Sequence, residues 1–163
     1  GNQFVGMGRS KMLGLTKADG SGPYYDGSVG FTPGKSDLIR EGDDGAILAI
    51  GPTVVQAQAA HDLILEATGK RVRVVNMASL RPFDRAAIED AARTGFVLTV
   101  EDHHPDTGLG GLATMVIADA GIATTIQRAG IDQWSMSGKP ADIFAAYRID
   151  AAGIAERVIT ALR

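Results

Sequence analysis

The feature that most constrains this chain is a rhythm: short apolar runs of strand length alternate with stretches of helix length. Ala46-Ile47-Leu48-Ala49-Ile50 is apolar throughout, and Phe96-Val97-Leu98-Thr99-Val100 nearly so. A run without polar alternation suits a strand buried on both faces, as in a parallel sheet covered by helices. Between the runs lie segments with helix start and stop signals. Thr53 is placed to cap a helix through Thr68, with Gly69 as its stop. Arg71–Met77 forms the next strand, and Asp84 caps a helix over Arg85–Arg93, with Gly95 after it. Phe96–Val100 is followed by a glycine-rich turn and a helix over Leu112–Ala120, ended by Gly121. Thr124–Arg128 is a last short strand. Helices over Pro140–Tyr147 and Ala151–Leu162 close the chain, the latter capped by Asp150. Ser36–Arg40 is a further strand, tied to Ala46–Ile50 by the turn Glu41-Gly42-Asp43-Asp44-Gly45, and is expected as an antiparallel edge. Repeated βα units of this kind predict an α/β fold. The expectation is a three-layer α/β/α sandwich on a mostly parallel five-stranded sheet with one antiparallel edge strand.

Residues 1–36 differ in character. Nine glycines and two prolines in that stretch argue for turns and extended backbone rather than helix interiors. They read as a linker, or as the tail of a preceding domain laid over residues 37–163. The chain opens on Gly1 rather than Met, which suggests a piece of something longer. An apolar face on residues 1–36, parted from its own domain, is expected to promote self-association.

Composition removes several classes of function. There is no cysteine, which excludes disulfides, thiolate catalysis and cysteine-held zinc, and suits a cytoplasmic protein. A formal net charge of −3 with interspersed signs offers no basic face for nucleic acid. No apolar run approaches the roughly 20 residues that a membrane-spanning helix needs.

One loop concentrates chemistry: Glu101-Asp102-His103-His104-Pro105-Asp106-Thr107-Gly108-Leu109-Gly110-Gly111. It follows a predicted parallel strand, at the edge where open α/β sheets place ligands. Its acids and imidazoles suit acid–base work. Gly108, Gly110 and Gly111 would expose amides at a helix N-terminus, a generic anion site. Glu101, His103, His104, Gly108, Gly110 and Gly111 are therefore the candidate rim and anion-binding residues. Plain helix–strand packing also requires small residues in such a turn. Gly34-Lys35-Ser36 lacks the earlier glycine of a phosphate loop, since position 29 is Val, and Gly108-x-Gly110-x-x-Ala113 follows the wrong strand for a dinucleotide fingerprint. No nucleophile elbow is present. His61 reads as a surface or interface residue of its helix. Trp134 and Met136, in the loop before Pro140, either cover the core edge or meet a partner domain.

Three segments, taken in order, resemble the C-terminal domain of the transketolase family. They are Phe96–His103 with Gly108–Gly111, the run Asn76-Met77-Ala78-Ser79-Leu80-Arg81-Pro82-Phe83-Asp84, and Ser137–Pro140 with Ala146–Ile154. Gly8–Lys11 and Phe31–Gly42 resemble the stretch that joins this domain to the pyrimidine-binding domain. The resemblance implies an enzyme dependent on thiamine diphosphate and Mg that moves a two-carbon ketol unit between sugar phosphates. The implied partners are the catalytic cofactor-binding domains, in the same chain or a separate subunit, within a cytoplasmic homo-oligomer, a dimer. It also implies that the present chain holds no catalytic, cofactor or metal residues and is inactive alone. Asp43-Asp44-Gly45 with Asn76 imitates the family's metal motif poorly. Alternatives are the same domain in deoxyxylulose-phosphate synthase or a 2-oxoacid dehydrogenase β subunit, and a non-catalytic assembly or regulatory module.

Overall fold

The computed structural model describes Lys11 and residues 13–163. Gly8, Arg9 and Ser10, part of the joining stretch singled out above, lie outside the described residues. Five strands appear in chain order: β1 Asp37–Arg40, β2 Ala46–Ala49, β3 Arg73–Asn76, β4 Phe96–Val100 and β5 Thr125–Ala129. The helices are α1 Thr53–Thr68, α2 Arg85–Ala92, α3 Leu109–Asp119, α4 Pro140–Ala146 and α5 Ala151–Ala161. The spatial order is β1-β3-β2-β4-β5, with every pairing parallel except β1 with β3. The expected antiparallel edge strand is present, but its neighbour is β3 rather than the strand that follows it. The 41–45 turn carries the chain past β3 instead of folding it into a hairpin: Asp44 N–H donates to Arg71 O, and Gly42 lies against the Arg71 backbone.

The strand period of two divides the interior. Ile47 and Ala49 face one way, with Val54, Ala57 and Ile64 of α1 and Ile154 and Val158 of α5. Ala46 and Leu48 face the other, with Ile88 of α2 and Leu109, Ala113 and Val116 of α3. The sheet is thus sandwiched between helical layers, and fully burying a leucine such as Leu48 or Leu98 contributes roughly 1.5–3 kcal/mol.

The caps follow the sequence at two helices. Asp84 accepts from Ala87 N–H at 3.3 Å, and Asp150 from Gly153 N–H at 3.1 Å. At α1 the expectation is corrected. Pro52 holds the cap position, and Thr53 is fully buried, its hydroxyl 2.9 Å from both Ile50 O and Val100 O, which share its one proton. His61 is also corrected. It is buried, and Nδ1 donates to Val72 O at 2.7 Å, so it ties α1 to the entry of β3.

Residues 13–36 form a strap over the domain. Leu15 and Tyr24 pack against the α1/α5 side of the core. The buried Arg40 donates to Thr16 O and Ile39 O, and Gln58 of α1 donates to the Thr16 hydroxyl at 2.7 Å. Tyr25 Oη donates to Asp37 Oδ2 at 2.5 Å and accepts from Asn76 Nδ2 at 2.8 Å. Burial and then the bond to Asp37 push the Tyr25 hydroxyl up to about 12. A raised pKa means that the stabilisation is complete below the unfolded value of 10 and is lost as pH rises through about 12. Tyr25→Phe is expected to cost about 1 kcal/mol at neutral pH. In melts over this alkaline range, the wild type should lose more stability than the variant; parallel losses would show that the hydroxyl is not linked to folding.

Candidate functional site

The carboxyl ends of β2 and β4 lie side by side. From β2 the chain crosses to β3 on one side, and β4 leads to β5 on the other, so this is the point where the strand order reverses. Crevices at such points are where α/β sheets bind ligands. Gly51 and Pro52 follow β2 here, and Glu101 to Gly111 follow β4.

Glu101 is only 1% exposed. Its Oε2 accepts from Leu109 N–H at 2.9 Å and its Oε1 from Gly110 N–H at 2.8 Å. The carboxylate that directly follows β4 therefore sits on the N-terminus of α3, where the helix dipole favours negative charge. The sequence suggested amides open to an external anion; those of Leu109 and Gly110 hold an internal one. The same bonds explain why α3 starts at Leu109 rather than Leu112, because its first turn is capped from the adjoining strand.

The glycines answer to close packing. A Cβ on Gly108 would lie 1.7 Å from Glu101 Oε2. On Gly110 it would lie 2.4 Å from Pro105 O, and on Gly111 2.2 Å from Asp106 O. The helix start is pressed onto the backbone of the preceding turn. Arg128 of β5 closes it from the side, pairing Nη1 with Asp106 Oδ1 at 2.7 Å.

His103 and His104 stay on the outside. The His103 side chain is 67% exposed. Its Nδ1 is 3.1 Å from Asp102 Oδ1, off the line of a hydrogen bond, and that oxygen is buried with no hydrogen-bond partner. His104 Nδ1 accepts from Asp106 N–H at 3.3 Å. The structure thus brings Glu101 and the three glycines together as one packed unit and leaves the two imidazoles on its rim, free to meet solvent or a neighbour. Arg128 and the Tyr25–Asp37–Asn76 cluster went unnoticed in the sequence. The partners in the cluster stand 12 and 51 residues apart, which leaves no local pattern.

Among the described residues no three His, Asp or Glu side chains converge to hold a metal ion. Asp44 Oδ2 accepts from Arg71 N–H, and Asp43 pairs with Arg73, both at the amino end of β3; Asn76 ends that strand and is bound to Tyr25. The poor imitation of a metal motif is therefore split across opposite ends of the sheet, and these residues do not fit a metal–diphosphate group. No helix among the described residues is long and apolar enough to cross a membrane. Two surface grooves lie away from this loop. One of about 660 Å³ runs beside the strap past Arg40 and Asp62, and one of about 590 Å³ lies between α1 and α5.

Comparison with known proteins agrees with this architecture. The family model for the transketolase C-terminal domain matches residues 34–154. A putative transketolase C-terminal section of Methanocaldococcus jannaschii is 35% identical over 134 residues, 82% of this chain and 42% of that protein. The 1-deoxy-D-xylulose-5-phosphate synthase of Syntrophotalea carbinolica is 37% identical over 153 residues, 92% of this chain and 23% of the synthase. A solved split-gene transketolase, described as an inactive β4 tetramer, superposes with a TM-score of 0.80 at 30% identity, over 94% of this chain and 48% of that one. The chain thus spans less than half the length of these relatives. With the matched residues covering most of the chain and the sheet order, edge strand and helical layers in agreement, this chain belongs to the transketolase C-terminal domain family.

Proposed function

We propose that the chain is the C-terminal part, or the separately encoded C-terminal subunit, of a transketolase-like enzyme that moves a two-carbon ketol unit between sugar phosphates. Thiamine diphosphate and Mg are held by the other domains, and the chain alone has no activity. Residues 1–36 are then the tail of a preceding pyrimidine-binding domain and 37–163 the C-terminal domain, in a cytoplasmic homo-oligomer. His103 and His104 stand on the rim facing the active-site region. The observation that carries this reading is the likeness to a split-gene transketolase chain over 94% of this one. The occupied amides of α3 and the separation of Asp43 and Asp44 from Asn76 support placing the cofactor elsewhere. The 37% identity to a deoxyxylulose-phosphate synthase favours a second reading, the same domain in an enzyme of that class.

Calorimetric titration of the chain with thiamine diphosphate and Mg²⁺ tests the placement. The expected result is no binding heat, with binding and ketol transfer restored when the catalytic domains are added. Tight metal-dependent binding by the chain alone would overturn the proposal.

A further inference from the structure

Exposed leucines and a methionine are scattered over β1, α1 and α3, but the exposed aromatic side chains are unevenly placed. All three exposed aromatics among the described residues, Tyr25, Phe31 and Trp134, lie toward the carboxyl edge of the sheet. Trp134 is 99% exposed, and Met136 beside it is 56% exposed. Their loop leaves β5 at this edge and is held in place by its backbone: Ile131 N–H donates to His103 O at 2.9 Å, and Tyr147 Oη donates to Trp134 O at 3.3 Å. At the far end of the same edge, Tyr25 reaches Asn76 at the end of β3. Phe31 precedes the turn that sets Gly34 against Pro82, in the loop between β3 and α2.

The path of the strap says which way the chain arrives. Thr16 and Pro23 form an antiparallel bridge, Tyr24 N–H donates to Leu15 O, and Lys17 N–H donates to Gly22 O. The strap is therefore a hairpin. Its closed end lies by Asp62, Leu65 and Arg71, toward the amino end of the strands. Its open end holds Tyr25 and, on the facing leg, Leu13, which is 80% exposed. The chain thus enters the domain at the carboxyl edge, where an indole and a thioether stand in water. Tryptophan is among the residues enriched in the few that dominate binding energy at interfaces, and exposed apolar patches mark such surfaces.

We propose that this edge is the docking face for the catalytic portion of the enzyme, with Trp134 and Met136 as its anchors at the β5 end and the strap as its tether at the β1 end. The occupant is the domain that precedes this one, because the chain is delivered from that direction and the relatives carry more than half their length beyond the matched part. The inference rests on the proposed function, and it gives His103 a reason to be on the rim: its loop lies beside that of Trp134.

The chain has a single tryptophan, so 5-fluorotryptophan incorporation yields one ¹⁹F reporter. Mixing the labelled chain with the unlabelled catalytic portion should shift that signal, and Trp134→Ser with Met136→Ser should weaken association roughly tenfold to thirtyfold. The melting temperature of the variant should not change, because neither side chain is in the core. Association with no ¹⁹F shift and no effect of the variant would overturn the docking face and leave the functional reading intact. Failure to associate or restore activity at all would overturn the functional reading, and the docking face with it. A ¹⁹F shift that follows the concentration of the chain alone, matched by sedimentation, would assign the face to a second copy and overturn the proposed occupant.

Discussion

Glu101→Ala is expected to be the most destabilising single truncation in the loop, by about 3–5 kcal/mol. Two buried amides, those of Leu109 and Gly110, lose their acceptor, and each unpaired buried group costs about 1–3 kcal/mol. The α3 dipole also loses its counter-charge, typically about 0.3–1 kcal/mol and more when partly buried. For a chain of this size each kcal/mol moves the midpoint by roughly 2–4 °C, so thermal melts should fall by about 6–20 °C. Glu101→Gln should lie between, because one carboxamide group turns a donor toward an amide that already donates. Formate or acetate should restore part of the loss in Glu101→Ala in a saturable way, since the vacated helix start becomes an anion site. A midpoint within 2 °C or so of the wild type would mean that the carboxylate contributes little to holding α3.

Much of the fold was legible because it rests on local rules. The buried runs at 46–50 and 96–100, the caps Asp84 and Asp150 and the stop at Gly69 each act through a handful of neighbouring residues, and each is found near its expected place. What was missed depends on residues far apart in sequence. The pairing of β1 with β3 is decided by where β3 arrives, some 35 residues after β1, and not by the turn between β1 and β2. In isolation Gly108, Gly110 and Gly111 look like helix breakers, which puts the expected start of α3 three residues late, at Leu112. Only the contact with Glu101, eight residues away from Leu109, makes them a helix start. The sequence reads the strap as a linker or a laid-over tail without its contacts for the same reason: its glycines are visible, while Arg40, Gln58, Asp37 and Asn76, which pin it, are not recognisable as its partners. At the candidate site, the loop stands out in the sequence for its acids, imidazoles and glycines, but the division of labour within it does not.

That division can be tested at Gly111, where two accounts of the glycine cluster part company. If the glycines served to open amides to an external anion, Gly111→Ala would leave the fold intact and weaken anion binding. The packing argues otherwise. A Cβ there would meet Asp106 O at 2.2 Å and Asp106 C at 2.9 Å, inside the 3.0 Å that real contacts keep. The obstacle is backbone, so no rotamer change relieves it, and the helix start must move away from the 104–106 turn. That movement pulls on the Glu101 bonds and on the pairing of Asp106 with Arg128, whose side chain lies over Gly110. A cost of about 2–4 kcal/mol is expected, in the range of overpacked cores. Gly30→Ala is the matched control, with nothing within 4 Å of its Cβ, and should change stability by no more than about 1 kcal/mol, with gain as possible as loss. A Gly111→Ala midpoint equal to that of Gly30→Ala would show that the turn yields freely. A clear fall, with inorganic phosphate giving no more protection to the wild type than to the variant, would show that the glycines are there to let backbone meet backbone.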